Sequence, residues 1–154
     1  MATPDPSLAD VYEIQQLLYR YATALDTRQL DLLDDCFTPD ARLDMSVAGT
    51  HSPAQYKAMA AEALAKLDAT HHLIGNPAIT VNGDTARAHS YYQAQHARND
   101  LAPASLLLVA GWIDDELVRV DGRWRIVSRV GRAVWFDGNP AVLGLEALPG
   151  ARRP

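Results

Sequence analysis

Near Asp68 the chain changes its periodicity, and that change restricts the folds open to it more than any other feature. Upstream, Val11, Ile14, Leu17, Leu18, Tyr21, Ala22 and Leu25 recur at helical spacing along 8–25. Downstream, 70–81, 85–97, 104–120 and 123–136 read as strands. Asn82-Gly83-Asp84 and Asp121-Gly122 join them with residues that tolerate the positive φ of tight hairpins, and 98–103 forms a longer turn. Between the two regions, Thr27 is a candidate cap for a short helix with Leu30, Leu33 and Phe37 inward. A first strand follows over 41–47, then an alanine-rich helix over 53–67 that Ser52-Pro53 opens. Helices followed by long, hairpin-linked strands predict an α+β fold. The expected form is one strongly curved, mixed or antiparallel sheet, cone-shaped and closed by the N-terminal helices. Such a sheet leaves a cavity between the layers, where ligand sites usually lie.

The 154 residues fit one domain, with 1–7 as a loose polar arm and 137–154 as an irregular tail holding at most a short helix around 141–147. A net charge of -5 argues against a nucleic-acid surface. No run approaches the ~20 apolar residues of a membrane span. The N-terminus has neither the charged region nor the apolar region of a secretory signal, and Cys36 is the sole cysteine, so a cytoplasmic location is expected. Cys36 lies between Leu33 and Phe37 and reads as a buried apolar residue.

Thr70-His71-His72-Leu73-Ile74-Gly75-Asn76 is the stretch richest in chemistry. Histidine exchanges protons near neutral pH. Neighbouring strand residues face opposite sides, so His72, Ile74 and Asn76 share one face and His71, Leu73 and Gly75 the other. Adjacent histidines on a strand cannot chelate one ion from one face. The five histidines also lack the tight groupings of zinc sites, so no metal centre is expected. His96 ends a run of small residues, Ala88, Ser90 and Ala94, that shares one strand face with Tyr92 and suits a cavity wall. Asp26 ends the first apolar stretch, and on the residues alone a cap for the helix after it is the favoured reading.

With these residues in place, the chain resembles the nuclear transport factor 2-like fold, and within it the SnoaL-like lyases, over roughly 8–136. The resemblance rests on the helix ending Tyr21-Ala22-Thr23-Ala24-Leu25-Asp26, on Phe37-Thr38-Pro39-Asp40-Ala41, on 70–76, and on Asp121-Gly122-Arg123-Trp124-Arg125-Ile126. Scytalone dehydratase, bile-acid 7α-dehydratase and hexachlorocyclohexane dehydrochlorinase are its informative members. They imply Asp26 and His72 as a catalytic dyad, with His96 and Tyr21 as further catalytic groups, acting by elimination without metal or organic cofactor. They also imply Arg129 near the substrate. Asn76 joins the substrate site by sharing the face of His72, and Met45, Trp112 and Trp135 join as apolar walls. A hydrophobic, cyclic small molecule is the expected substrate, and a homo-oligomer, trimer or dimer, the expected assembly. Leu25, Met45, Gly111 and Ile113 stand where scytalone dehydratase has polar residues. Met45 also lies near the position of the ketosteroid isomerase base, which it cannot replace. Polyketide cyclases, isomerases and non-catalytic binding proteins use the same cavity, so these alternatives stay open at the level of sequence.

Overall fold

The computed structural model describes residues 6–46 and 48–146. Helix α1 spans Pro6–Asp26, and its buried stripe of Ile14, Leu17, Leu18, Tyr21 and Leu25 follows the predicted helical spacing. The helix starts two residues before the expected Leu8, so Pro6 and Ser7 belong to it; the rest of the proposed arm lies outside the described residues. A short 3-10 helix, Leu30–Asp35, follows. Its cap position is Gln29, not Thr27, whose hydroxyl instead donates to the Thr23 carbonyl at 2.7 Å and helps close α1.

Strand β1, Phe37–Met45, starts four residues earlier than the alternation suggested, so Phe37 is a strand residue. Val47, the expected end of that strand, lies outside the described residues. The short β2, Gly49–His51, was not anticipated. Helix α2, Pro53–Ala65, opens with a capping box: Ser52 Oγ accepts from the Gln55 N–H at 3.2 Å and Gln55 Oε1 accepts from the Ser52 N–H at 2.9 Å. Four long strands follow: β3 Ala69–Asn82, β4 Thr85–Ala97, β5 Leu106–Val120 and β6 Arg123–Gly138. A 3-10 turn, Pro140–Leu143, follows within the expected irregular tail; residue 147 onward lies outside the described residues.

The six strands form one mixed sheet in the order β2-β1-β6-β5-β4-β3, parallel only between β1 and β6. It is open at both edges and strongly curved. Helix α1 lies against β3 and α2 against β1, and the core fills the space between helices and sheet.

Three irregularities decide which side chains face that core. Asn76 and Pro77 of β3 stand opposite one residue of β4, and Asn76 has φ 38. In β6 the pairing skips Val127 and again Val134. Each extra residue exchanges the two faces of the strand beyond it.

Candidate active site

The site forms where the last turn of α1 meets the start of β3. A carboxylate at a helix C-terminus opposes the helix dipole by some tenths of a kcal/mol. Asp26 occupies that place and is compensated by two hydrogen bonds from one residue. The His72 backbone N–H donates to Oδ2 at 2.7 Å, and His72 Nδ1 lies 2.6 Å from Oδ1. A carboxylate only accepts, so Nδ1 carries the hydrogen and the Nε2 lone pair is left for the cavity. The pair is mostly buried, with 13% of the His72 side chain and 19% of the Asp26 side chain exposed.

His72 and His96 meet edge to face, their ring centres 5.7 Å apart. Thr70 Oγ1 and His96 Nδ1 share a hydrogen bond of 3.0 Å. Burial, with the neighbouring His72 adding to it, pushes the His96 pKa down to about 4, so this imidazole is neutral at pH 7.

The cavity has two connected chambers. The outer holds about 340 Å³ and is walled by apolar residues such as Met45, Met59, Ala63 and Leu67. The inner holds about 110 Å³ and includes Tyr21, Ile74 and Ile113. Met45, Tyr56, His72, Tyr92, His96 and Leu143 line both. At the inner end the hydroxyls of Tyr21 and Tyr56 share a hydrogen bond of 2.5 Å. Burial pushes both phenol pKa values up, so both remain O–H groups. Tyr21 and Asp26 converge on the cavity because α1 ends at Asp26, where the chain turns away through Arg28 at φ 59.

Asp26, His72, His96, Tyr21 and Met45 therefore gather at the cavity, with Asp26 behind His72. Four other expected residues do not. Asn76 is exposed, because the extra residue in β3 reverses the parity that would align it with His72. Trp112 and Trp135 stand 39% and 42% exposed and line neither chamber. Trp112 has opposite parity to the inward Ile113, and the extra residue Val134 turns Trp135 outward. Arg129 is buried but lies behind Tyr21, its guanidinium 4.1 Å from the ring centre, and it pairs with Asp115 through two bonds of 2.7 and 2.8 Å. Strand parity alone groups Arg129 with Arg125; the skipped Val127 brings it to the face of Trp124 and Ile126.

Tyr56 joins the site from outside the expected set, and Tyr92, expected only to share the strand face of His96, lines both chambers with it. Tyr56 was visible in principle, because Tyr56, Ala60 and Leu64 form the buried stripe of α2. A second Asp–His pair, Asp114 and His89 at 2.6 Å, is partly exposed and lies away from both chambers. Among the described residues no three histidine, cysteine or acidic side chains converge as metal ligands do.

The SnoaL-like domain model matches residues 6–130, nearly all of the folded chain. The chain belongs to the SnoaL-like family. This SnoaL-like domain is 34% identical over 126 residues to an uncharacterized protein of Mycobacterium tuberculosis, Rv2910c, covering 80% of this chain and 84% of that one. Its fold matches the Kfla4162 protein from Kribbella flavida with a TM-score of 0.83 and 26% identity, over 90% of this chain and 99% of that one. It also matches a candidate scytalone dehydratase from Novosphingobium aromaticivorans, with a TM-score of 0.81 and 22% identity over 99% of this chain and 100% of that one. A type 2 hexachlorocyclohexane dehydrochlorinase, LinA, gives 0.77 and 23% over 94% and 97%. At these last two identities the likeness is one of fold: the nuclear transport factor 2-like α+β fold, as the sequence predicts.

Proposed function

We propose that this protein is a cofactor-independent lyase that eliminates water from a small hydrophobic, cyclic substrate, with Asp26 and His72 as its general-base dyad. The observation that carries the reading is the double hydrogen bond from His72 to Asp26, which leaves Nε2 as the acceptor facing the cavity. Nε2 takes the proton from a carbon next to a carbonyl. The C–H electron pair becomes the new double bond, and the C–O bond on the neighbouring carbon breaks. The departing hydroxyl receives a proton from Tyr21 and leaves as water. The proton on His72 then returns to the tyrosine oxygen through solvent or product. Asp26 stabilises the imidazolium in the interval. Tyr21 takes the acid role because His96, neutral at working pH, has only an imidazole N–H to offer, a weaker acid than a phenol; His96 serves as a hydrogen-bond partner to the substrate. In this reading Arg129 acts through Tyr21 without touching the substrate.

The comparisons support a lyase by the company this fold keeps: proteins named for dehydration and dehydrochlorination share it. A homo-oligomer remains part of the reading, supported by the exposed apolar residues Leu73, Tyr91, Trp112 and Trp135. So does a cytoplasmic location: the only cysteine is buried and unpaired, and no described helix is long and apolar enough to cross a membrane. The test is a panel of cyclic β-hydroxy ketones, followed by enone absorbance. An accepted substrate should lose roughly 10²–10⁴-fold in kcat with His72→Ala. Undiminished turnover in that variant refutes the assignment.

A further inference from the structure

Resting on that reading of the cavity, we infer that the substrate is an uncharged, two-part molecule. Its head is a single oxygenated ring held in the inner chamber, with the oxygen on the Tyr21–Tyr56 hydroxyl pair. An apolar extension fills the outer chamber, and the tyrosine pair selects for the oxygen.

Size separates the two parts. An apolar cavity of roughly 150 Å³ holds one benzene, so the inner chamber, at about 110 Å³, has no room for a second ring, and a single ring there reaches into the space bordered by residues of both chambers. The outer chamber, at about 340 Å³, leaves room for a further group of similar or greater bulk. Met45 and Met59 border that space, and unbranched thioether side chains adapt to varied apolar shapes.

Charge is excluded by the lining. Among the described residues no aspartate, glutamate, lysine or arginine lines either chamber. Asp26 is bonded to His72, and Arg129 is paired with Asp115 behind the Tyr21 ring, with only its Nη1 left without a partner. A carboxylate, phosphate or ammonium on the substrate would be buried without a counter-charge, which proteins avoid. The polar side chains that remain are three tyrosine hydroxyls, the two imidazoles and, in the outer chamber, Ser46, whose hydroxyl oxygen already accepts from the Ala133 N–H.

The tyrosine pair sets the position of the oxygen. Two hydroxyls bonded to each other use one hydrogen between them, and the second hydrogen remains to donate. That donor meets a carbonyl or hydroxyl oxygen and gains nothing from a hydrocarbon. Tyr21 lines only the inner chamber and Tyr56 lines both, so the hydroxyl pair faces the head of the molecule.

The test is binding, measured by calorimetry on the full chain with four probes: 4-butylcyclohexanone, butylcyclohexane, cyclohexanone and 4-butylcyclohexanecarboxylate. The wild type should bind the butyl ketone tightest, about tenfold better than the hydrocarbon. It should bind cyclohexanone at least tenfold more weakly and the carboxylate more weakly still. Tyr56→Phe and Tyr21→Phe each leave one hydroxyl with its hydrogen and should only weaken the ketone preference; the two changes together should reduce the butyl ketone to the affinity of butylcyclohexane while leaving the hydrocarbon unchanged. If the double variant fails to fold, the wild-type ranking of the four probes remains the test. Carboxylate binding equal to that of the ketone, or unchanged discrimination in the double variant, overturns the inference. Turnover plays no part in this readout. A protein that discriminates these probes yet eliminates nothing would sink the lyase reading and leave this one intact.

Discussion

Replacing Asp26 by asparagine should reverse the tautomer of His72 with little change to the fold. The His72 backbone N–H, which Asp26 Oδ2 accepts at 2.7 Å, can only donate, so the amide oxygen of the asparagine must take it. The amide NH2 then faces Nδ1, 2.6 Å from the original Oδ1. Two donors cannot meet there. The imidazole therefore moves its hydrogen to Nε2, and the atom facing the cavity becomes a donor instead of a base. The equivalent tautomer error in a serine protease triad costs about 10⁴-fold in kcat, or about 5 kcal/mol on the barrier. Stability should fall by only ~1–3 kcal/mol, because both hydrogen bonds survive in weaker, uncharged form. Nitrogen-15 correlation spectra of the histidine rings report the tautomer directly and need no substrate. The wild type should show His72 protonated on Nδ1, and Asp26→Asn should show it protonated on Nε2. A variant that keeps Nδ1–H, or that keeps full activity on an accepted substrate, refutes the reasoning.

Two further perturbations test the interior around the dyad. His96 has a folded pKa of about 4 against 6.5 for the free side chain, so on acidification the unfolded chain takes up its proton first. Its contribution is complete above about pH 6.5, is lost as pH falls towards 4, and changes no further below that, amounting to ~3 kcal/mol in all. Urea denaturation across that window should be flatter for His96→Gln than for the wild type; equal slopes would show that His96 is not the titrating group. Asp115→Asn leaves Arg129, 1% exposed, without its carboxylate, and should destabilise by ~3–5 kcal/mol in thermal melts. Replacing both partners together, Arg129→Met with Asp115→Leu, should cost less than the single change. A double variant as unstable as the single would mean that the ion pair itself holds the fold.

The sequence predicted the elements well because their signals are local. The α1 stripe, the Ser52-Pro53 start of α2 and the tight turns at Gly83 and Gly122 all appear where the residues place them. Parity put His72 and His71 on opposite faces, the resemblance implied His72 as the inward one, and β3 keeps that alternation because it pairs with β4 without interruption from Ala69 to Gly75. The same parity failed one residue later, at Asn76, where the ladder slips. In β6 the extra residues Val127 and Val134 likewise exchange the faces, carrying Arg129 to the core side and Trp135 outward. A bulge depends on how two distant strands match in length and curvature, and nothing in the local sequence of β6 announces it. Tyr56 was overlooked for a different reason. Its helix reads as alanine-rich and generic, and only the contact with Tyr21, 35 residues away, gives its hydroxyl a function.

The central claim is that His72 removes a proton from carbon, and hydrogen–deuterium exchange tests it before any leaving group is known. Cyclic ketones such as 4-butylcyclohexanone, incubated with the protein in D2O, can be followed by proton NMR at the carbons next to the carbonyl. Wild-type protein should accelerate loss of those signals, and His72→Ala should abolish the acceleration by at least roughly 10²-fold. Equal exchange in wild type and His72→Ala would contradict the account.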